Sequence, residues 1–159
     1  MKFAMKAAFG PIAVTCVLLC LAPGSASAGD VPLGTWVSED GGVKVRLSNC
    51  GGNQLCGTVV WLGEPIDKIT GRLKTDKNNP DPAKRSRPLI GLHVAGFSPS
   101  GPNEWSGTIY NADNGHTYRA DLKVSDTETL RLQGCIWKYL CMGHTWTRSE
   151  ASARTAAIH

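Results

Sequence analysis

The side chains in this sequence that could do chemistry are its cysteines, histidines, carboxylates and guanidiniums, and their spacing narrows the possibilities. Four cysteines fall into two pairs, Cys50 with Cys56 and Cys135 with Cys141, and each pair encloses five residues. Zinc knuckles space their ligands by about two to four residues. Two wider, matched intervals around glycine-bearing or loop-like stretches suit hairpin-end disulfides instead. The spacing thus favours Cys50–Cys56 and Cys135–Cys141 over the other two pairings and over a four-cysteine zinc site, and no metal or cofactor is expected. A bridge of this loop length contributes roughly 2 to 2.5 kcal/mol in the chain-entropy account.

Catalytic patterns are scarce. The sequence holds no Gly-x-Ser-x-Gly elbow, His-Glu-x-x-His pair, Walker loop or dinucleotide fingerprint. His116 and His144 share the parity of apolar strand residues, His93 follows a Gly-Leu step, and His159 ends the chain. Asp121 falls on an outward parity and Glu39-Asp40 reads as a turn. The segment Asn111 to Gly115 has the look of a calcium loop, but the bidentate Glu is missing, with Asp121 in its place. The expected protein is not an enzyme. Basic groups gather over residues 64–88, where Lys68, Arg72, Lys74, Lys77, Lys84, Arg85 and Arg87 face Glu64, Asp67, Asp76 and Asp81. A solvated loop is the plain reading. The functional one makes Arg85 and Arg87 a clamp for a carboxylate or phosphate, whose geometry a guanidinium fork matches.

The elements that must position these groups are strands. Val43, Val45 and Leu47 alternate with Lys44, Arg46 and Ser48, and the run His116 to Val124 alternates in the same way. Leu130 and Leu132 oppose Thr129, Arg131 and Gln133, while Leu55, Val59 and Trp61 share one parity. Turn residues fall between the runs, and Asn114-Gly115 is the pair a type I′ hairpin favours. Outside the patternless stretch 64–88, residues 33–148 leave room for roughly eight strands at about 8 to 12 residues per strand and turn. So many strands joined so briefly must be antiparallel, and closure into an up-and-down barrel or a two-sheet sandwich removes the exposed edges.

The N-terminal residues have a different purpose. Lys2 and Lys6 precede an apolar run from Ala7 to Leu21, followed by Ala26-Ser27-Ala28, a small-x-small cleavage site. The run is shorter than a membrane span requires, and Thr15 and Leu19 before Cys16 and Cys20 disfavour lipidation. Residues 1–28 read as a signal peptide cleaved after Ala28, which sends the chain to the periplasm or the medium. Residues 29–148 read as a single domain and 149–159 as a C-terminal tail. The precursor's net charge of +4 includes two leader lysines, so the mature chain is close to neutral and no nucleic-acid partner is expected.

Gly34-Thr35-Trp36 on the first strand and Trp146-Thr147-Arg148 on the last together resemble a lipocalin or calycin barrel. The resemblance implies that Arg148 lies over Trp36 as a structural clasp, worth on the order of 1 to 2 kcal/mol. Further motifs narrow the match: Cys56-Gly57 with Val60-Trp61-Leu62, Thr70-Gly71, Thr75 through Pro82, Arg85 through Leu92, and Trp105-x-Gly-x-Ile-Tyr-Asn. As a set these resemble a bacterial family of small exported proteins filed as a domain of unknown function, with a lipocalin-like barrel. The family implies fold and envelope location and brings no agreed activity.

An eight-stranded barrel has an interior that is either filled by side chains or holds one small ligand. By parity, Val59, Trp61, Tyr118 and Leu130 are candidate ligand contacts, with Arg85 and Arg87 above them at the mouth. The expected function is retention of a small, partly apolar ligand. The alternative is an adaptor that binds another envelope protein or a cell-wall component through the 64–88 loop.

Overall fold

Alternation in the sequence becomes eight antiparallel strands: β1 (Gly34–Val37), β2 (Val43–Asn49), β3 (Leu55–Leu62), β4 (His93–Gly101), β5 (Glu104–Asn111), β6 (His116–Val124), β7 (Thr129–Trp137) and β8 (Leu140–Arg148). The computed structural model describes residues 31–137 and 140–149. The leader expected over 1–28 and the tail expected over 149–159, Ser149 apart, lie outside the described residues. Each strand pairs with the next, and β1 pairs with β8 through Trp36 opposite Arg148 and Val37 opposite Thr147. The sheet therefore closes into an up-and-down barrel without a free edge.

Trp36, Leu47, Leu55, Val59, Phe97, Trp105, Leu122 and Leu130 form the buried core inside this barrel. Arg46, Ser106, Thr108, Arg119, Asp121, Lys123 and Arg131 are exposed on the outside. Apolar inside and polar outside is the reverse of a membrane barrel, whose lipid-facing band is apolar. No helix among the described residues is long and apolar enough to cross a membrane.

The connections divide between the two ends. The links β1–β2, β3–β4, β5–β6 and β7–β8 gather at one end, and the other three gather with the start of β1 and the finish of β8 at the opposite end. Disulfides staple one hairpin at each end. Cys50–Cys56 spans β2–β3 with Cα atoms 5.7 Å apart, and Cys135–Cys141 joins directly opposed residues of β7 and β8 at 4.0 Å. Both pairings follow the equal spacings in the sequence.

Two local expectations are corrected. Trp61 shares the sequence parity of Leu55 and Val59, yet it is 41% exposed, with the Lys44 ammonium 5.1 Å from its ring centroid. The register explains this: Val45 pairs with Val59 and Lys44 with Trp61, so Val60 is an extra residue on β3. A bulge of this kind shifts the alternation by one, turning Trp61 outward and Leu62 toward Val43. At Asn114-Gly115 the strands stop at Asn111 and His116, so four residues form the turn rather than two. Gly115 takes the left-handed conformation (φ 72°) but Asn114 does not, whereas a type I′ turn needs both.

The 64–88 connection is organised into a substructure. Ile66 bridges Leu73 and Thr75 bridges Pro88 in two successive antiparallel contacts, and Pro82–Lys84 form a 3-10 turn capped by Asp81. Its inner surface rests on the β5–β6 hairpin: Asn78 Nδ2 donates to the Asp113 carbonyl at 2.7 Å. A Cβ on Gly115 would come within 2.0 Å of the Asn78 carbonyl oxygen, so only glycine admits this approach.

A candidate ligand cavity in the barrel

Inward-facing side chains leave a cavity of about 730 Å³. Its deep wall is aliphatic and aromatic: Val45, Leu47, Val59, Phe97, Leu122 and Leu130, with Trp36 and Trp146. Its rim is polar and belongs to the end with the long connection, where Ser38, Glu39, Asp40, Asn111, Asp113 and His144 line the opening. His144 Nδ1 lies 3.5 Å from the Glu39 carboxylate across this rim. Asp40 holds its own turn by accepting from the Ser38 hydroxyl and the Gly42 amide, and these bonds keep its carboxyl below the ordinary range. An apolar body with a few polar groups at one end matches the usual make-up of a small-molecule site. A broader depression of about 1280 Å³ crosses the outside of β5 and β6, walled by strand backbone and groups such as Ser106, Thr108, Arg119 and Asp121. The interior is the more apolar of the two and is the candidate site.

The floor is held by the clasp. Trp36 is 1% exposed, its indole Nε1 donates to the Pro32 carbonyl at 2.9 Å, and the Arg148 guanidinium stacks 4.4 Å above the ring centroid. Arg148 also donates to the Leu33 carbonyl (2.9 Å) and the Thr127 carbonyl (2.7 Å), tying both chain ends of the barrel together. Gly34 makes room for it, since a Cβ there would stand 2.7 Å from Arg148 Nη1.

Of the residues singled out as ligand contacts, Val59 and Leu130 line the cavity. Trp61 faces solvent because of the bulge. Tyr118 pairs with Ile109, but at the hairpin end its hydroxyl accepts from Asn114 Nδ2 at 2.8 Å, and it borders the outer depression with His116 and Cys135. The hydroxyl thus reaches the solvent-exposed turn rather than the cavity.

The proposed anion clamp does not form. Arg85 Nε donates to the Asn79 carbonyl at 2.8 Å, and Arg87 Nη2 binds the Asp76 carboxylate at 2.7 Å. Both guanidiniums fasten the connection to itself.

The group they serve escaped the sequence reading. Asp76 is fully buried and accepts three hydrogen bonds: from the Tyr110 hydroxyl (2.5 Å), Arg87 (2.7 Å) and Asn79 Nδ2 (2.7 Å). Burial alone would raise its pKa. The bonds from Tyr110, Arg87 and Asn79 outweigh burial and hold the carboxyl below its ordinary value of 3.8. Burial and the neighbouring carboxylate push the Tyr110 phenol up. Tyr110 also lines the cavity, so one side chain links the 64–88 substructure to the barrel mouth. In the sequence Asp76 was one of four acids among seven cations, and nothing in its local pattern marks it as the buried one.

A search of solved structures finds the protein HP1028 from Helicobacter pylori, described as belonging to the lipocalin family, with a TM-score of 0.63 and 19% identity over 79% of this chain and 88% of that one. A redesigned β-barrel matches with a TM-score of 0.45 and 13% identity over 77% of this chain and 95% of that one. No curated protein matches the sequence. The first likeness shows a shared lipocalin-like fold. The family model described as "Uncharacterized protein conserved in bacteria (DUF2147)" covers residues 34–148, from the first strand to the last, and the chain belongs to that family.

Proposed function

We propose that this protein is an exported, non-enzymatic carrier that holds a small, partly apolar molecule inside its barrel. The observation that carries the reading is the cavity of about 730 Å³ with an aliphatic and aromatic depth and a polar rim. That volume falls within the range of roughly 300 to 1,000 Å³ typical of small-molecule sites. Two disulfides and a leader-like N-terminal segment support work outside the cytoplasm.

Two tryptophans in the wall, Trp36 and Trp146, make occupancy directly readable. Native mass spectrometry of protein taken from the producing cell should show added small-molecule mass that is lost on denaturation. Refilling the emptied barrel should change the tryptophan emission. Leu132→Trp, which places an indole in the partly buried wall, should abolish retention while the fold persists. Absence of added mass, together with unchanged emission across a panel of neutral, cationic and anionic amphiphiles, would refute the carrier reading.

A further inference from the structure

The outer part of the 64–88 connection is a tightly built turn that pushes an aliphatic side chain into water. Asp67 Oδ1 accepts from the Ile69 and Thr70 amides at 2.9 and 3.0 Å, and its other oxygen binds Lys77 Nζ at 3.0 Å. The Gly71 amide returns to the Asp67 carbonyl at 2.8 Å, with Gly71 in the left-handed conformation (φ 66°). The Ile66–Leu73 bridge closes the base. This frame leaves Ile69 92% exposed, with Leu73 at 55% and Ile66 at 44% beside it. Nothing in the turn's own bonding requires an isoleucine there, and an exposed apolar cluster on a rigid projection marks a contact surface.

Charge says what kind. Residues 64–88 carry seven basic and four acidic side chains, whereas the other described residues carry six basic and seven acidic. Among the described residues the positive charge is thus concentrated on the segment that bears the isoleucine tip. Lys68 and Arg72 flank that tip; the Lys68 side chain is 79% exposed and pairs with the likewise solvent-facing Glu64 at 2.9 Å, a surface pair that a lipid phosphate can replace.

We propose that the Asp67–Arg72 turn docks the protein on an anionic lipid surface, with Ile69 entering the interface and Lys68 and Arg72 meeting lipid phosphates. A convex tip of three aliphatic side chains is too small to form the core of a stable protein interface. It does suit the headgroup region, where apolar insertion and cationic attraction act together. The inference is independent of any ligand in the barrel, because the turn lies outside the cavity wall.

The test uses the chain as the producing cell processes it, with the N terminus established by mass spectrometry. It is sedimented with vesicles of phosphatidylcholine alone or mixed with phosphatidylglycerol. The protein should bind only the mixed vesicles, and more weakly as salt rises. Ile69→Ser and Arg72→Glu should each weaken binding about tenfold. Both side chains are exposed, so the melting temperature should not move. No binding to the mixed vesicles, or equal binding by the parent and both variants, overturns the proposal. So does a lipid-free dimer or protein crosslink that disappears in Ile69→Ser, since either would assign the tip to a second copy or a protein partner.

Discussion

A carboxylate without solvent contact is tolerated only where donors surround it, and Asp76 has three: the nearby Asn79 and the more distant Arg87 and Tyr110. Asp76→Asn keeps the shape but loses the charge that Arg87 needs, and should destabilise the protein by about 2 kcal/mol. The pH dependence has a definite sign. Because the folded pKa lies below the ordinary 3.8, the stabilisation is complete above that value and is lost as pH falls through the folded pKa. Asp67, held down to about 2 chiefly by the Lys77 hydrogen bond and then by the Thr70 and Ile69 amides, adds in the same direction. Hydrogen exchange over residues 64–88 should therefore rise below about pH 4, and the acid response should shrink in Asp76→Asn. An acid response of equal size in that variant would place its origin elsewhere.

At the scale of elements, the long connection is a fastened piece because the β5–β6 turn was shaped to receive it. Gly115 has a positive φ and faces the Asn78 carbonyl at a distance no Cβ could share. Gly115→Ala should unseat the connection without opening the barrel, seen as new proteolytic cleavage within residues 64–88 while the strand signal in circular dichroism is kept. The Cys50–Cys56 staple acts on a different element. Replacing both cysteines by Ala should lower stability by about 2 kcal/mol in denaturant titration, mainly through the freed unfolded chain. The β3 bulge at Val60 is the third device at this scale, since it decides that Leu62 rather than Trp61 turns inward at the mouth.

For the whole molecule, closure depends on β1 meeting β8 over only two registered pairs. The clasp compensates for so short a seam by stacking Arg148 on Trp36 and bonding it to Leu33 and Thr127. Trp36→Ala should cost roughly 3 to 5 kcal/mol, as large core truncations do. It should also open the cavity floor, so melting and ligand retention would fall together. Unchanged melting would show that the seam needs no clasp.

Strand count, antiparallel order and disulfide pairing were legible in the residues because each rests on local periodicity or short spacing, whereas the Trp36–Arg148 clasp was reached only through the resemblance carried by Gly34-Thr35-Trp36 and Trp146-Thr147-Arg148. Val59 and Leu130 were readable as wall residues for the same reason: period-two alternation fixes the face wherever the ladder is regular. Trp61 was misread because a single inserted residue shifts that alternation, and a bulge has no composition of its own. Arg85 and Arg87 were misread because a free guanidinium and one bonded to Asn79 or Asp76 look identical in sequence. Their partners are chosen by how the 64–88 substructure folds back upon itself. The buried role of Asp76, the seat on Gly115 and the size of the cavity arise from contacts between residues distant along the chain, and only the tertiary structure decides these.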